Sequence, residues 1–271
     1  MTPTETQKTN VTAPTIPART IRRFGWIPDL PDQRDYFYAA PPAILANLPG
    51  SADLRSRCPD VYDQGALGSC TANAIAGALE FDQMKQRATD VFVPSRLFIY
   101  YNERAIEGTV NEDAGAMIRD GIKSVVKLGC PPEAMWPYAT PKFRNRPPAA
   151  AFAEAMDHQA LLYERVMPRA DQLRACLASG FPFVFGFSVY ESFAGQIVAR
   201  TGQVSMPKPH ERVIGGHAVM AVGYDDARAW FIVRNSWGST WGMRGYFTMP
   251  YDYVLDQNLC DDFWTIRSVE V

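Results

Sequence analysis

The strongest constraint on the fold is a change of period in mid-chain. Up to about residue 180 the apolar residues recur at helical steps, and from Phe181 onward they gather into β-branched and aromatic runs. Thr71 to Arg87 sets Ala72, Ile75, Ala76 and Leu79 on one face at steps of three and four. Ser95, after Pro94, is placed to cap a helix over Arg96 to Glu103. A further helix is predicted over Ala116 to Leu128, closed by Gly129 and kept from continuing by Pro131-Pro132. Asp171 to Ser179 reads as a short helix ended by Gly180. Beyond it, Phe181 to Tyr190, Val213 to Tyr224, Ala229 to Asn235, Arg244 to Thr248 and Phe263 to Val271 read as strands. Turn residues such as Asp225-Asp226 and Gly238 separate them. Helices first and strands afterwards predict an α+β fold, a helical lobe packed on an antiparallel sheet or barrel.

The chain's 271 residues, 47% of them apolar and 12% aromatic, suffice for a sizeable interior. Lys plus Arg is 27 against 29 for Asp plus Glu, a net charge of −2, which gives no footprint for nucleic acid or an anionic membrane. The longest strongly apolar stretch, Phe181 to Tyr190, is ten residues, well short of a spanning helix. A monomer is expected. The five cysteines, Cys58, Cys70, Cys130, Cys176 and Cys260, contain no Cys-x-x-Cys pair. His-Glu-x-x-His and phosphate-loop motifs are also missing, so neither a metal nor an organic cofactor is implied. With an odd count at least one thiol is unpaired within the chain. A reducing compartment is the easier reading, although two disulfides stay open.

Residues 1–20 are Thr- and Pro-rich with little to bury, and are expected to form a disordered tail. They lack the apolar core of a secretory signal, so the cytoplasm is the default expectation, with export by another route left open. Residues 21–38 carry Phe24, Trp26, Tyr36, Phe37 and Tyr38 among Pro28 and Pro31, a pattern that suits neither helix nor regular strand. So many aromatics would be a liability in a free tail, which predicts an extended segment docked on the body.

Three short segments carry candidate chemistry. In Gln64-Gly-Ala-Leu-Gly-Ser-Cys70 a glycine-punctuated loop runs into a helix, whose positive end favours thiolate over thiol at Cys70. Gly215-Gly216-His217-Ala218-Val219 places a histidine at the head of an apolar strand. Asn235 opens the block Asn-Ser-Trp-Gly-Ser-Thr-Trp-Gly-Met-Arg-Gly-Tyr246. Together they supply a nucleophile, a base, a group to orient the base and a donor for an oxyanion. Taken singly, Cys70 reads as a small buried hydrophobe, His217 as a core histidine and Asn235 as a turn residue. Of the other histidines, His158 sits in an Ala-rich helical stretch and His210 in a Pro/Lys-rich loop.

In these segments the chain resembles the papain family of cysteine peptidases. Gln64 precedes Cys70 by the family's six residues, and the Asn235 to Tyr246 block matches at every fixed position. His217 lies 147 residues beyond Cys70 and 18 before Asn235, in the family's order. Among bacterial members the chain looks most like those of xylellain type, which also carry a short N-terminal extension. The cathepsin B-like and cathepsin L-like branches are not separated. The resemblance implies a two-lobe α+β fold, with the helical lobe over about 48–165, a β-barrel-like lobe over about 166–271 and the cleft between them. It makes Cys70 the nucleophile, His217 its ion-pair partner and general acid, Asn235 the orienter of the imidazole, and Trp237 a shield of that contact. Gln64 would donate to the oxyanion together with the backbone of Cys70. Asp113, Ala114 and Gly115 align with the segment that pairs with substrate, and Met117, Gly216 and Ala218 would line the specificity pocket.

Three departures stand out. Leu67 and Glu112 stand where members usually carry a cystine pair, Thr71 replaces the tryptophan after the nucleophile, and Cys58 and Cys260 lack their usual mates. The expected function is hydrolysis of peptide or protein substrates through an acyl-enzyme. Two alternatives remain: a low-turnover peptide-binding homologue, and acyl transfer to an amine, as in transpeptidation. Residues 21–47 are then a docked extension or a short propeptide, either a strap completing the fold or an autoinhibitory segment with Phe24 to Tyr38 in or beside the cleft.

Overall fold

A computed structural model describes residues 24–270; the expected disordered tail over 1–20 and the first residues of the extension lie outside them. In chain order the strands are β1 (Trp26–Ile27), β2 (Phe37–Tyr38), β3 (Ser51–Asp53), β4 (Ala116–Met117), β5 (Ala160–Val166), β6 (Phe183–Tyr190), β7 (Val213–Asp225), β8 (Trp230–Arg234), β9 (Tyr246–Pro250) and β10 (Cys260–Val269). The helices are α1 (Pro42–Ala46), α2 (Cys70–Gln86), α3 (Arg96–Glu107), α4 (Ile118–Lys127), α5 (Ala149–Ala155), α6 (Ala170–Ala178), α7 (Gln196–Thr201) and α8 (Tyr251–Leu255).

Helix α2 is the axis of the molecule. The spacing predicts one buried face, yet every residue from Cys70 to Gln83 is buried. Its alanines and Gly77 let β7, β10, α3 and α4 close on it from all sides, which buries Thr71, Asn73, Glu80, Asp82 and Gln83 along with the apolar residues. Ser95 caps α3 by accepting from the Phe98 N–H at 3.3 Å, and the helix runs on to Gly108. Helix α4 starts at Ile118, two residues later than its pattern predicts, because Ala116 and Met117 are drawn into β4 beside the N-terminal segment.

The C-terminal half forms one eight-stranded sheet in the order β2-β5-β10-β6-β7-β8-β9, with β3 paired to the end of β7. The expected barrel-like closure does not occur. Strand β2, two residues borrowed from the N-terminal segment, ends one edge, and β9 ends the other. Strand limits shift where the backbone turns left-handed. Ala229 (φ 53°) delays β8 to Trp230, and Arg244 (φ 56°) with Gly245 (φ 88°) delays β9 to Tyr246. Strand β5, which the period reading passed over, supplies the partner for β10.

The N-terminal segment touches the body twice, as β1 running parallel to β4 and as β2 running parallel to β5. Between them, Trp264 Nε1 donates to Asp29 at 2.9 Å, and the buried Arg119 grips Asp35 and the Leu30 carbonyl. All five cysteines are free thiols, so the fold stands without the disulfide framework usual for such a motif.

Candidate active site

The loop before α2 is held from several directions. Gly65 (φ 63°) makes the left-handed turn that follows Asp63. The backbone N–H of Gln64 donates to the Ser236 carbonyl at 2.9 Å, and its side-chain oxygen accepts from Ser236 Oγ at 2.6 Å. That contact orients the amide, whose nitrogen donates to the Leu67 carbonyl at 2.9 Å. Gly68 N–H donates to Asp113 at 3.0 Å, and Asn73 reaches back to the Ser69 carbonyl at 2.8 Å. Cys70 is therefore the first helical residue of α2 on a rigid approach. Thr71, the departure beside it, donates to the buried Glu103 at 2.6 Å. Burial raises that carboxyl well above the usual range.

His217 comes from β7 and Asn235 from the end of β8, neighbours across one hairpin. His217 Nε2 and Asn235 Oδ1 lie 2.9 Å apart, and Asn235 Oδ1 also accepts the Ser236 N–H at 2.8 Å. Aromatic rings enclose the imidazole: Trp237 at 5.0 Å between centroids, Phe187 at 5.7 Å and Phe193 at 6.3 Å. This dry surround strengthens the hydrogen bond to Asn235. The residue after the histidine, Ala218, donates its N–H to Cys70 Sγ at 3.3 Å, which brings the two lobes together at the sulfur. The other histidines lie elsewhere. His158 sits in a turn beyond α5 against Phe92, not in the helix expected for it, and His210 is in an exposed loop.

Across this site lies the N-terminal segment. The Gly25 backbone N–H faces Cys70 Sγ and favours its ionised form, and the Gly25 carbonyl accepts from Ala116 N–H at 2.7 Å. The Phe24 ring stands 6.3 Å from His217 and 6.4 Å from Trp237. Under this cover Cys70 is fully buried, and burial pushes its thiol up to about 12. The Ala218 and Gly25 N–H groups pull the other way but do not offset it. Burial thus works against the thiolate that the helix N-terminus favours.

The residues aligned with substrate pairing divide. Gly115 (φ 79°) lies against the Gly25 carbonyl, where a Cβ would stand 2.2 Å from the oxygen. Ala114 adjoins it, half-buried. Asp113 holds the nucleophile loop and Tyr100, and Met117 pairs with Ile27. Gly216 lies under Trp26, and Ala218 touches the sulfur. The motif reading missed Ala116, which makes the backbone bond to the segment, and also Gly186 and Asp262, whereas Gly25 and Trp26 fall in the segment expected to dock on the body. An isolated glycine inside an apolar strand, as at Gly186, is a signal of close approach that was available in the sequence. Among the described residues no group of three or more His, Cys, Asp or Glu side chains is arranged to hold a metal ion.

The sequence profile of the papain family cysteine proteases matches residues 48–261. The chain is 45% identical over 272 residues to an uncharacterized peptidase C1-like protein of Acanthamoeba polyphaga mimivirus, covering 92% of this chain and 88% of the viral one. It is 30% identical to a cathepsin B-like protein of Giardia intestinalis, covering 73% and 68% of the two chains. In structure it is similar to xylellain, a cysteine protease from Xylella fastidiosa, with a TM-score of 0.87 and 44% identity over 93% of this chain and 98% of that one.

Proposed function

The chain belongs to the papain family of cysteine proteases and has its two-lobe α+β fold, and from that premise we propose that it hydrolyses peptide bonds through Cys70, His217 and Asn235 and is held inactive by residues 24–27. The observation that carries this reading is the backbone of Gly25, lying between Cys70 Sγ and Ala116.

The chemistry follows from the geometry. With Nε2 engaged by Asn235, Nδ1 is the nitrogen that exchanges a proton with Cys70. Once the cover lifts, water reaches the sulfur, the desolvation penalty falls, and the helix N-terminus favours the thiolate. The thiolate attacks the peptide carbonyl, His217 protonates the departing amine, and water then releases the acyl group. Gln64, oriented by Ser236, donates to the oxyanion beside the Cys70 N–H. Gln64→Ala is expected to lower kcat by about 10²–10³ with little change in KM. An equal loss through KM alone would remove Gln64 from that role.

The segment is an inhibitor and not a substrate, because it offers the sulfur an N–H. The Gly25 carbonyl is turned away, toward Ala116. The cleft-filled geometry also suits a pure peptide-binding module, but such a module has no use for the Cys70, His217, Asn235 and Gln64 set. Transfer to an amine uses the same residues and is separated from hydrolysis by product analysis.

Docking of the segment is coupled to pH through Asp262 and Asp29. Burial and the neighbouring Asp29 push Asp262 up to about 7, and burial raises Asp29 as well. Arg165 from β5, Asp261 from β10, Arg119 from α4 and Asp35 from the segment face this pair. The docked state therefore holds more protons than the lifted one. The stabilisation is present at acid pH and lost as pH rises through about 7. The ratio of Cys70 alkylation rates, wild type over Asp262→Asn, is expected to rise between about pH 5 and about pH 8. A flat ratio would break the coupling.

A further inference from the structure

At the end of α2 remote from Cys70, polar side chains from several elements meet without partners. Asp82 and Lys85 stand one turn apart on α2, Arg267 comes from β10, Ser179 ends α6, and Tyr38 comes from β2. Both Asp82 oxygens, Lys85 Nζ, Arg267 Nη1, Ser179 Oγ and the Tyr38 hydroxyl are buried, and none has a hydrogen-bond partner. The groups face one another. Arg267 lies 4.8 Å from the centre of the Tyr38 ring and 4.1 Å from that of Phe181, and Lys85 Nζ lies 2.7 Å from the Phe181 centre. Asp82 feels the charges of both Lys85 and Arg267. The Tyr38 hydroxyl faces Ser179 and Arg267 without closing a hydrogen bond to either.

The cluster is rich in donors and poor in acceptors: an ammonium, a guanidinium and two hydroxyls surround one carboxyl. Leaving such groups dry and unpaired is costly. Burial pulls the Lys85 ammonium down to about 8 and pushes the Asp82 carboxyl up to about 8. Asp82 opposes the fall at Lys85, while Arg267 and Arg57 add to it and Cys176 opposes it weakly. A desolvated amine beside other cations is an activated nucleophile. There is also room in front of it. Gly180 turns left-handed (φ 81°), and a Cβ there would meet nothing closer than the Arg57 guanidinium at 3.6 Å and Lys85 Nζ at 3.8 Å. The space of the missing side chain is thus bounded by the amine and by a second cation.

We propose that Lys85 is a carbamylation site, whose neutral amine takes up carbon dioxide in the space beside Gly180. The Nζ lone pair forms a bond to the carbon, one C–O π pair moves onto oxygen, and an N–H proton passes to the Asp82 carboxylate. Carbon dioxide is the one reagent required. The product carries a negative charge where the ammonium was positive, and its two oxygens are the acceptors that the cluster lacks. Arg267 Nη1, Ser179 Oγ and the Tyr38 hydroxyl gain a common partner, with the Arg57 guanidinium at the open side. Asp82, once protonated, becomes a donor as well. Tyr38 belongs to the N-terminal segment, so the carbamate fastens β2 to α2 and β10. The inference is independent of the chemistry at Cys70.

The experiment uses the full-length wild-type chain, equilibrated at about pH 8 with isotopically labelled bicarbonate as the source of carbon dioxide. Alkylation with triethyloxonium fixes any carbamate as its ethyl ester, and peptide mapping locates the label. Lys85 is expected to carry at least about tenfold more than the exposed Lys127 and Lys142, since an ordinary lysine is almost wholly protonated at that pH. Equal labelling of the three, or none at Lys85, overturns the proposal. A second measurement reads thermal unfolding. Bicarbonate in place of chloride, at equal pH and ionic strength, is expected to raise Tm by about 2 °C in the wild type and to leave Lys85→Arg unchanged. Arginine keeps the positive charge but forms no carbamate. An equal change in the two chains, including none, means that bicarbonate acts only as an anion, and this too overturns the proposal. The mapping needs no variant, so it decides even if Lys85→Arg does not fold.

Discussion

Gly25→Ala in the full-length chain is expected to raise both iodoacetamide labelling of Cys70 and peptide hydrolysis by about 10- to 100-fold. A Cβ at position 25 would stand 1.7 Å from the Gly68 carbonyl oxygen and 2.5 Å from its carbon. Neither is the far end of a flexible side chain. Both belong to the loop that Asp113 and Gln64 hold in place. The half-exposed segment yields more readily than that loop, and overpacking of this kind typically costs about 1–3 kcal/mol, where each 1.4 kcal/mol is tenfold in population. With the segment lifted, Cys70 loses its cover and can ionise. Unchanged labelling in a protein that keeps its circular dichroism would end the autoinhibition reading. Labelling that rises without hydrolysis would point to a distorted loop. Trp26→Ala, which leaves that loop alone, then decides.

In the Gly25→Ala background, Cys70→Ala and His217→Ala are each expected to lower kcat/KM by about 10⁴ or more while the protein stays folded. Cys70 makes the covalent bond and His217 moves the proton, so neither function survives alone. For the same reason the double variant is expected to be no worse than either single one. Asn235→Ala leaves the imidazole in place without its 2.9 Å contact, and a smaller loss is expected. Turnover in Cys70→Ala within tenfold of its parent would refute the assignment, whatever the labelling shows.

The pieces of the candidate site were legible where their supporting contacts are local in sequence. Gln64 donates to Leu67 three residues on, Asn73 reaches back to Ser69, and Asn235 accepts from Ser236. Such contacts demand particular residues at fixed spacing, so they leave a motif. His217 and Asn235 are 18 residues apart, but the β7–β8 hairpin makes them neighbours. Ends of elements were less legible. Ala229 and Arg244 turn left-handed without being glycine, and Ala116 and Met117 leave their helix only because β1 lies beside them.

The period switch determined an α+β chain, and the three short blocks determined its family, because helical spacing, strand alternation and motif contacts are properties of neighbouring residues. The occupant of the cleft was decided only in three dimensions. Gly25 reaches Cys70, Phe24 reaches His217, and Trp26 reaches Gly186 and Asp262, at separations of 45, 193, 160 and 236 residues. No local pattern records such encounters, since they arise from the register of β6, β7 and β10 and from the path of the N-terminal segment. The same assembly sets two effects against each other at the thiol: a helix N-terminus favours the thiolate, and the segment laid over it removes the water that the charge requires.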